Sequence, residues 1–190
     1  FMALFYSNII VPLFNKQQPL EAGELRNAIE SFSLKTGFKL KNIFVINGSK
    51  RSKKANAYFT GFGPKKRIVL YDTLMNDFTT EEIVAILAHE VGHYKKRHVL
   101  YGLLTSIISS GVLLYLMSLV IGSPDVAGAL GAHDASFHMG ILAFGMLYSP
   151  ISMILGIAGN YFSRRHEYAA DQFAAQQSNA EELARGLQKL

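Results

Sequence analysis

Apolar and polar positions divide this chain into two membrane-like stretches and a water-like remainder. Val99 to Ile121 and Met139 to Phe162 contain no Asp, Glu, Lys or Arg, and each exceeds the roughly 20 residues a helix needs to cross hydrocarbon. They predict two transmembrane helices, 99–121 and 139–162, joined by a loop over 122–138. Their Ser and Gly residues and Pro150 are compatible with this, because neighbouring helices or water satisfy freed backbone groups. The alternative, two helices buried in a soluble core, fits poorly with the exclusion of every charge over such lengths. Phe1 to Phe14 is also uncharged but too short to cross alone, and it predicts the end of another transmembrane helix. A signal peptide is the weaker reading, since no basic segment precedes the run and no small-x-small site follows it.

From Lys16 to His98 the pattern is that of a water-soluble segment. An amphipathic helix is expected over Leu20 to Thr36, with Leu25, Ile29, Phe32 and Leu34 as its apolar stripe and Gly37 as its end. Strand-like runs follow at Ile43–Ile46, Ala57–Thr60 and Arg67–Tyr71, the last two joined by a glycine-containing hairpin loop, Gly61 to Lys66. Thr79 to Glu82 reads as a capping box opening a helix over Ile83, Val84, Ile86 and Leu87. The fold class is therefore mainly α with a small β-sheet. A membrane-proximal half-domain occupies 15–98, and a further helix occupies 163–190 beyond the second span.

The 49% hydrophobic and 17% charged content excludes a disordered chain. The balance of 19 Lys+Arg against 14 Asp+Glu admits nucleic acid, anionic lipid or membrane orientation as its cause, and placement decides among them. Lys95, Lys96 and Arg97 precede the first span and Arg164 and Arg165 follow the second, whereas 122–138 has neither Lys nor Arg. This asymmetry puts the loop on the external or lumenal side and the polar segments on the cytoplasmic side. Lys50, Arg51, Lys53, Lys54, Lys65 and Lys66 suit a surface facing lipid headgroups. No nucleic-acid-binding motif accompanies them, so no nucleic acid is expected as a partner. With no cysteine, any metal must be held by His and carboxylates.

The chemically informative string is His89-Glu90-Val91-Gly92-His93, inside the capped helix. Positions i and i+4 share a face, so His89 and His93 can offer two imidazole nitrogens to one zinc ion, and Glu90 falls beside it as a general base for the attacking water. Two core histidines four apart by chance are the alternative. A catalytic zinc needs a third protein ligand. Glu167, just past the second span, is the candidate because the hairpin returns its segment to the same side of the membrane. Asp171 lies one helical turn on, on the same face, and can accept the outward N–H of a ligand imidazole, His89 by preference. A solvated, Arg-paired helix surface is the competing reading of Glu167 and Asp171. His98 points away from the His89 face, His133 and His138 belong to the loop, and His166 reads as an interface residue.

These residues, taken together, give a family resemblance. The chain resembles the integral-membrane zinc proteases of the CAAX prenyl endopeptidase type 1 family. The likeness runs through Pro12 to Lys16, Phe44 to Ser52, Asn56 to Gly61, Lys66 to Leu74, His89 to His93, and Ser163 to Asp171. The bacterial heat-shock membrane protease HtpX is a more distant likeness. Lys53-Lys54-Ala55 stands where the family has Ser-His-Ser, and His166 where it has an apolar residue. The resemblance implies an integral-membrane, gluzincin-like zincin core with one Zn2+ on His89, His93 and Glu167, Glu90 as catalytic base, and Asn56, Ala57 and Tyr58 as an edge strand for extended substrate. It also implies a longer parent protein, with more spans before this chain and a further active-site His after it.

The expected activity is hydrolysis of peptide bonds in membrane-associated or prenylated proteins by a metalloendopeptidase embedded in the bilayer. Its site would face the cytoplasm, in the endoplasmic reticulum membrane of a eukaryote or the inner membrane of a bacterium. Two other readings belong to different tasks: membrane-protein quality control of the HtpX type, and a catalytically idle scaffold in which the metal only ties helices together. Glu90 weighs against the scaffold, since a purely structural site has no use for an unligated carboxylate beside its ion.

Overall fold

The computed structural model describes residues 17–47, 57–60, 66–131, 133, 134 and 136–189. The expected end of a helix at 1–14, most of the hairpin loop and Asn56 lie outside the described residues. The described residues form two compact units, one ending at Lys96 and resuming at Tyr168, the other Arg97–Glu167.

The first unit holds a four-stranded sheet made of β1 (Gln17–Pro19), β2 (Leu40–Ile46), β3 (Ala57–Thr60) and β4 (Lys66–Tyr71), in the order β1-β2-β4-β3. β2 and β4 run parallel with Ile43 opposite Ile68, while β1 and β3 flank them antiparallel. Helix α1 (Glu24–Thr36) links β1 to β2 and ends at Gly37, whose φ of 63° lies in the left-handed region that glycine enters without strain. Its inward face is Ile29, Phe32, Ser33 and Thr36, whereas Leu34 is 84% exposed. Leu34 does not belong to the stripe the sequence suggested, because two residues past Phe32 is about 200° round the helix.

Short α2 (Asp72–Asp77) leads to α3 (Thr80–Lys95). The expected capping box forms in full: Glu82 N donates to Thr79 Oγ1 at 3.2 Å, and Thr79 N donates to Glu82 Oε2 at 2.9 Å. Ile29, Ile43, Ile68, Leu70, Leu74, Ile83 and Leu87 form one apolar core between sheet and helices, each such side chain gaining roughly 1.5–3 kcal/mol from burial. A second cluster, Phe32, Phe38, Ala85, Ala88, Val91, Ala174 and Leu183, packs the other face of α3 against α1 and the C-terminal helices.

Arg97, at φ 57°, separates α3 from α4 (His98–Val120). The joining segment is not all loop: α5 (Pro124–Ala129) starts there, with Pro124 in its first turn and Ser123 Oγ accepting from Val126 N at 3.4 Å, a helix start of the usual chemistry. Then α6 (Phe137–Gln177) runs 41 residues through Pro150, and α7 (Ala180–Lys189) closes the described chain. The sequence divided 139–162 from a separate helix beyond 163, but α6 is unbroken. Both α4 and α6 are long and apolar enough to cross a membrane by length and composition.

Candidate metal centre

Helix α3 carries His89 and His93 one turn apart, and packing fixes the rest of its faces. Ala88, Val91 and Gly92 are buried around them, and His89 itself is only 8% exposed. Gly92 eases the close approach of α6: a Cβ there would lie 3.1 Å from both Cα and O of Ala170 and 3.3 Å from Phe173 Cβ, tighter than most Cβ contacts. The absence of a side chain lets the backbone of α6 come alongside the histidine face, one helical turn beyond Glu167.

The Nε2 atoms of His89 and His93 are 3.1 Å apart, with ring centroids at 4.8 Å and planes at 67°. His89 Nδ1 lies 2.8 Å from Asp171 Oδ1. An ionised carboxylate only accepts, so Nδ1 carries the proton and Nε2 of His89 presents a lone pair toward His93. His89, His93 and Glu167 each offer one ligand atom, and these atoms lie within 4.8 Å of one another. Two nitrogens bound tetrahedrally at about 2.0–2.1 Å from one ion stand roughly 3.3 Å apart. The observed nitrogen spacing and the added carboxylate fit a divalent cation of zinc type.

The structure thus brings together His89, His93, Glu167 and Asp171, and sets Glu90, partly buried, next to His89 on α3. Ala57 is in β3, its side chain in the core, and the strand lies against α3. Tyr58 pairs with Val69 through the backbone. His98 and His166 stack on each other, centroids 4.2 Å apart and planes 11° from parallel, and the metal group found among the described residues includes neither.

Other supports went unread in the sequence because they join positions remote along the chain. Glu82, 2% exposed, receives Lys189 Nζ at 2.6 and 2.7 Å. The Lys189 ammonium and the Thr79 N–H hold its carboxyl below the ordinary carboxylate value, against the opposing effect of burial. Lys95 donates to Thr36 O and Lys35 to Gln177 O at 2.9 Å, so lysines satisfy carbonyls at the ends of α1 and α6.

A paired-histidine helix with a carboxylate from a second helix is an arrangement found in metallopeptidases, and comparison with known proteins gives the family. Residues 19–190 match the model of peptidase family M48, and the chain belongs to that family. Within it, the chain is similar to CAAX prenyl protease 1. It is 39% identical over 194 residues to the Oryza sativa homolog, covering 100% of this chain and 45% of that protein. It is 37% identical to the Saccharomyces cerevisiae protein over 94% of this chain and 43% of that one, and 31% identical to the Homo sapiens homolog over 100% and 48%. The crystal structure of S. mikatae Ste24p superposes with a TM-score of 0.80 at 36% identity, over 97% of this chain and 46% of that one. The chain spans a little under half the length of these relatives.

Proposed function

We propose that this chain carries the catalytic core of a membrane-embedded zinc metalloendopeptidase that cleaves peptide bonds in CAAX-type, prenylated proteins. The carrying observation is the convergence of His89, His93 and Glu167, with Asp171 on the outer nitrogen of His89. The substrate class rests on the names of the relatives, CAAX prenyl protease 1.

In this reading the core is gluzincin-like, with His89, His93 and Glu167 holding one zinc. Bound zinc supplies Lewis-acid polarisation of the scissile carbonyl and acidification of water. The Glu90 carboxylate takes the proton of the attacking water and delivers it to the leaving amine, a role suited to a group beside the ligands but not among them. Asp171 holds the His89 proton on Nδ1, keeping Nε2 a donor to the metal. β3 is an edge strand among the described residues. Its open backbone groups, with Asn56 leading into Ala57 and Tyr58, suit pairing with an extended peptide irrespective of most of its side chains. In this reading α4 and the apolar part of α6 span the bilayer, and the flanking Lys95, Lys96, Arg97, Arg164 and Arg165 support a cytoplasmic face for the site.

The test is cleavage of a prenylated CAAX peptide by the full-length protein, with zinc content measured in parallel. Glu90→Gln is expected to retain zinc and lose about 100- to 10,000-fold in kcat. Undiminished cleavage by that variant overturns the reading.

A further inference from the structure

Lys66 opens β4 and is only 8% exposed, an unusual place for an ammonium group, which seldom leaves water without a partner. Its Nζ lies 3.8 Å from the ring centroid of Tyr94 and 4.6 Å from that of Phe38. The two rings meet edge-to-face, centroids 5.6 Å apart at 83°. The cation therefore sits in an aromatic corner, where the negative faces of the rings replace part of its hydration.

The three residues come from different elements. Phe38, 3% exposed, lies just beyond the glycine that ends α1; Lys66 belongs to the sheet; Tyr94 belongs to the last turn of α3 and directly follows His93. Tyr94 is 47% exposed, so its packing is one-sided, and the contacts with Lys66 and Phe38 hold the side it buries. A helix end frays unless tied down, and His93 stands in that end, only two residues before Lys95.

We infer that Lys66 is a positioning residue for the metal centre: through Tyr94 it pins the last turn of α3 and so fixes the direction of the His93 imidazole. A neutral side chain of the same length fills the corner without binding either ring face as a cation does, whereas Arg preserves both charge and stacking. The inference rests on the metal reading above, so its test has one readout that needs no metal.

In full-length protein freed of metal, amide hydrogen exchange at Tyr94, Lys95 and Lys96 is compared among wild type, Lys66→Met, Lys66→Arg and Tyr94→Leu. Zinc affinity is then measured by competition with a chromophoric chelator. Lys66→Met and Tyr94→Leu are expected to speed exchange in this turn and to weaken zinc binding about tenfold, the lower range for groups that orient ligands. Lys66→Arg should stay near wild type, and the double variant should be little worse than either single one. Unchanged exchange in both Lys66→Met and Tyr94→Leu, or additive losses in the double variant, overturns the pin. Altered exchange with wild-type zinc affinity overturns the positioning role and leaves a structural contact only. Failure of the wild type itself to take up zinc overturns the metal reading, and the role assigned to Lys66 falls with it, while exchange still reports whether the turn is pinned.

Discussion

Asp171 Oδ1 accepts from His89 Nδ1 at 2.8 Å across the contact between α6 and α3. The bond fixes both the tautomer and the azimuth of a ring that is nearly buried. Removing the carboxylate frees the ring to rotate and takes away the acceptor that holds its tautomer. Asp171→Ala is expected to weaken zinc binding about 10- to 100-fold while the helical content stays intact, checked by chelator competition and circular dichroism. Affinity equal to wild type would show the bond to be incidental.

On the proposed reading zinc should also act as a stabiliser, since the three candidate ligands His89, His93 and Glu167 come from two helices that are remote in sequence. At a free concentration 100 times Kd, binding to the folded state alone adds about 2.7 kcal/mol. The metal-free protein should therefore unfold at a lower temperature, and added zinc should restore it in wild type but not in His93→Ala. Thermal scans with and without chelator measure both.

Gly92 lets the backbone of Ala170 come close enough that a Cβ there would press on it at 3.1 Å, so α6 would have to give by a few tenths of an ångström. Gly92→Ala is expected to cost a net of up to about 2 kcal/mol, overpacking of about 1–3 kcal/mol being offset by a helix-propensity gain of about 1 kcal/mol, and Gly92→Val more. Because the displaced partner is the helix carrying Asp171 and Glu167, zinc stoichiometry should fall alongside the melting temperature. A Gly92→Ala protein with unaltered melting and full zinc would contradict the close approach.

Glu82 gives the protein an acid-sensitive clasp. Its carboxyl titrates below the ordinary glutamate value because Lys189 and the Thr79 N–H favour the ionised form. The folded state thus binds this proton more weakly than the unfolded chain does. The stabilisation is complete above the unfolded pKa, near about 4.3, and disappears as pH falls through the lower folded value. Glu82→Gln should be less stable than wild type at neutral pH, by about 1–2 kcal/mol given that Lys189 is half exposed. It should also show a shallower loss of stability between pH 5 and pH 3, on the order of that pH range. Urea unfolding across that range tests the sign.

Much of the candidate site could be read from residue types and spacing. The His89/His93 pair follows from the 3.6-residue turn, and Asp171 from its place one turn after Glu167. The extent of α6 could not be read this way. Pro150 and the change from apolar to charged at Ser163 resemble boundaries, yet Pro150 lies inside the helix and the charges continue it. β1 is three residues long and draws its stability from pairing with β2, so it leaves no periodic trace. The Lys66 corner joins a loop, a strand and a helix end; each residue is ordinary in its own neighbourhood, and only the tertiary fold gives the lysine its aromatic surroundings.

The continuity of α6 ties its length to its chemistry. One residue inserted between Pro150 and Ser163 would lengthen the rod by about 1.5 Å and turn everything beyond it by about 100°. Glu167 and Asp171 would then leave the face they share with His89 and His93 unless the apolar stretch turned instead. Only steps close to whole turns, of about three to four or seven residues, keep both in phase. Single-residue insertions or deletions in this stretch should therefore be poorly tolerated even where substitutions are harmless, whereas changes of whole turns should be accommodated.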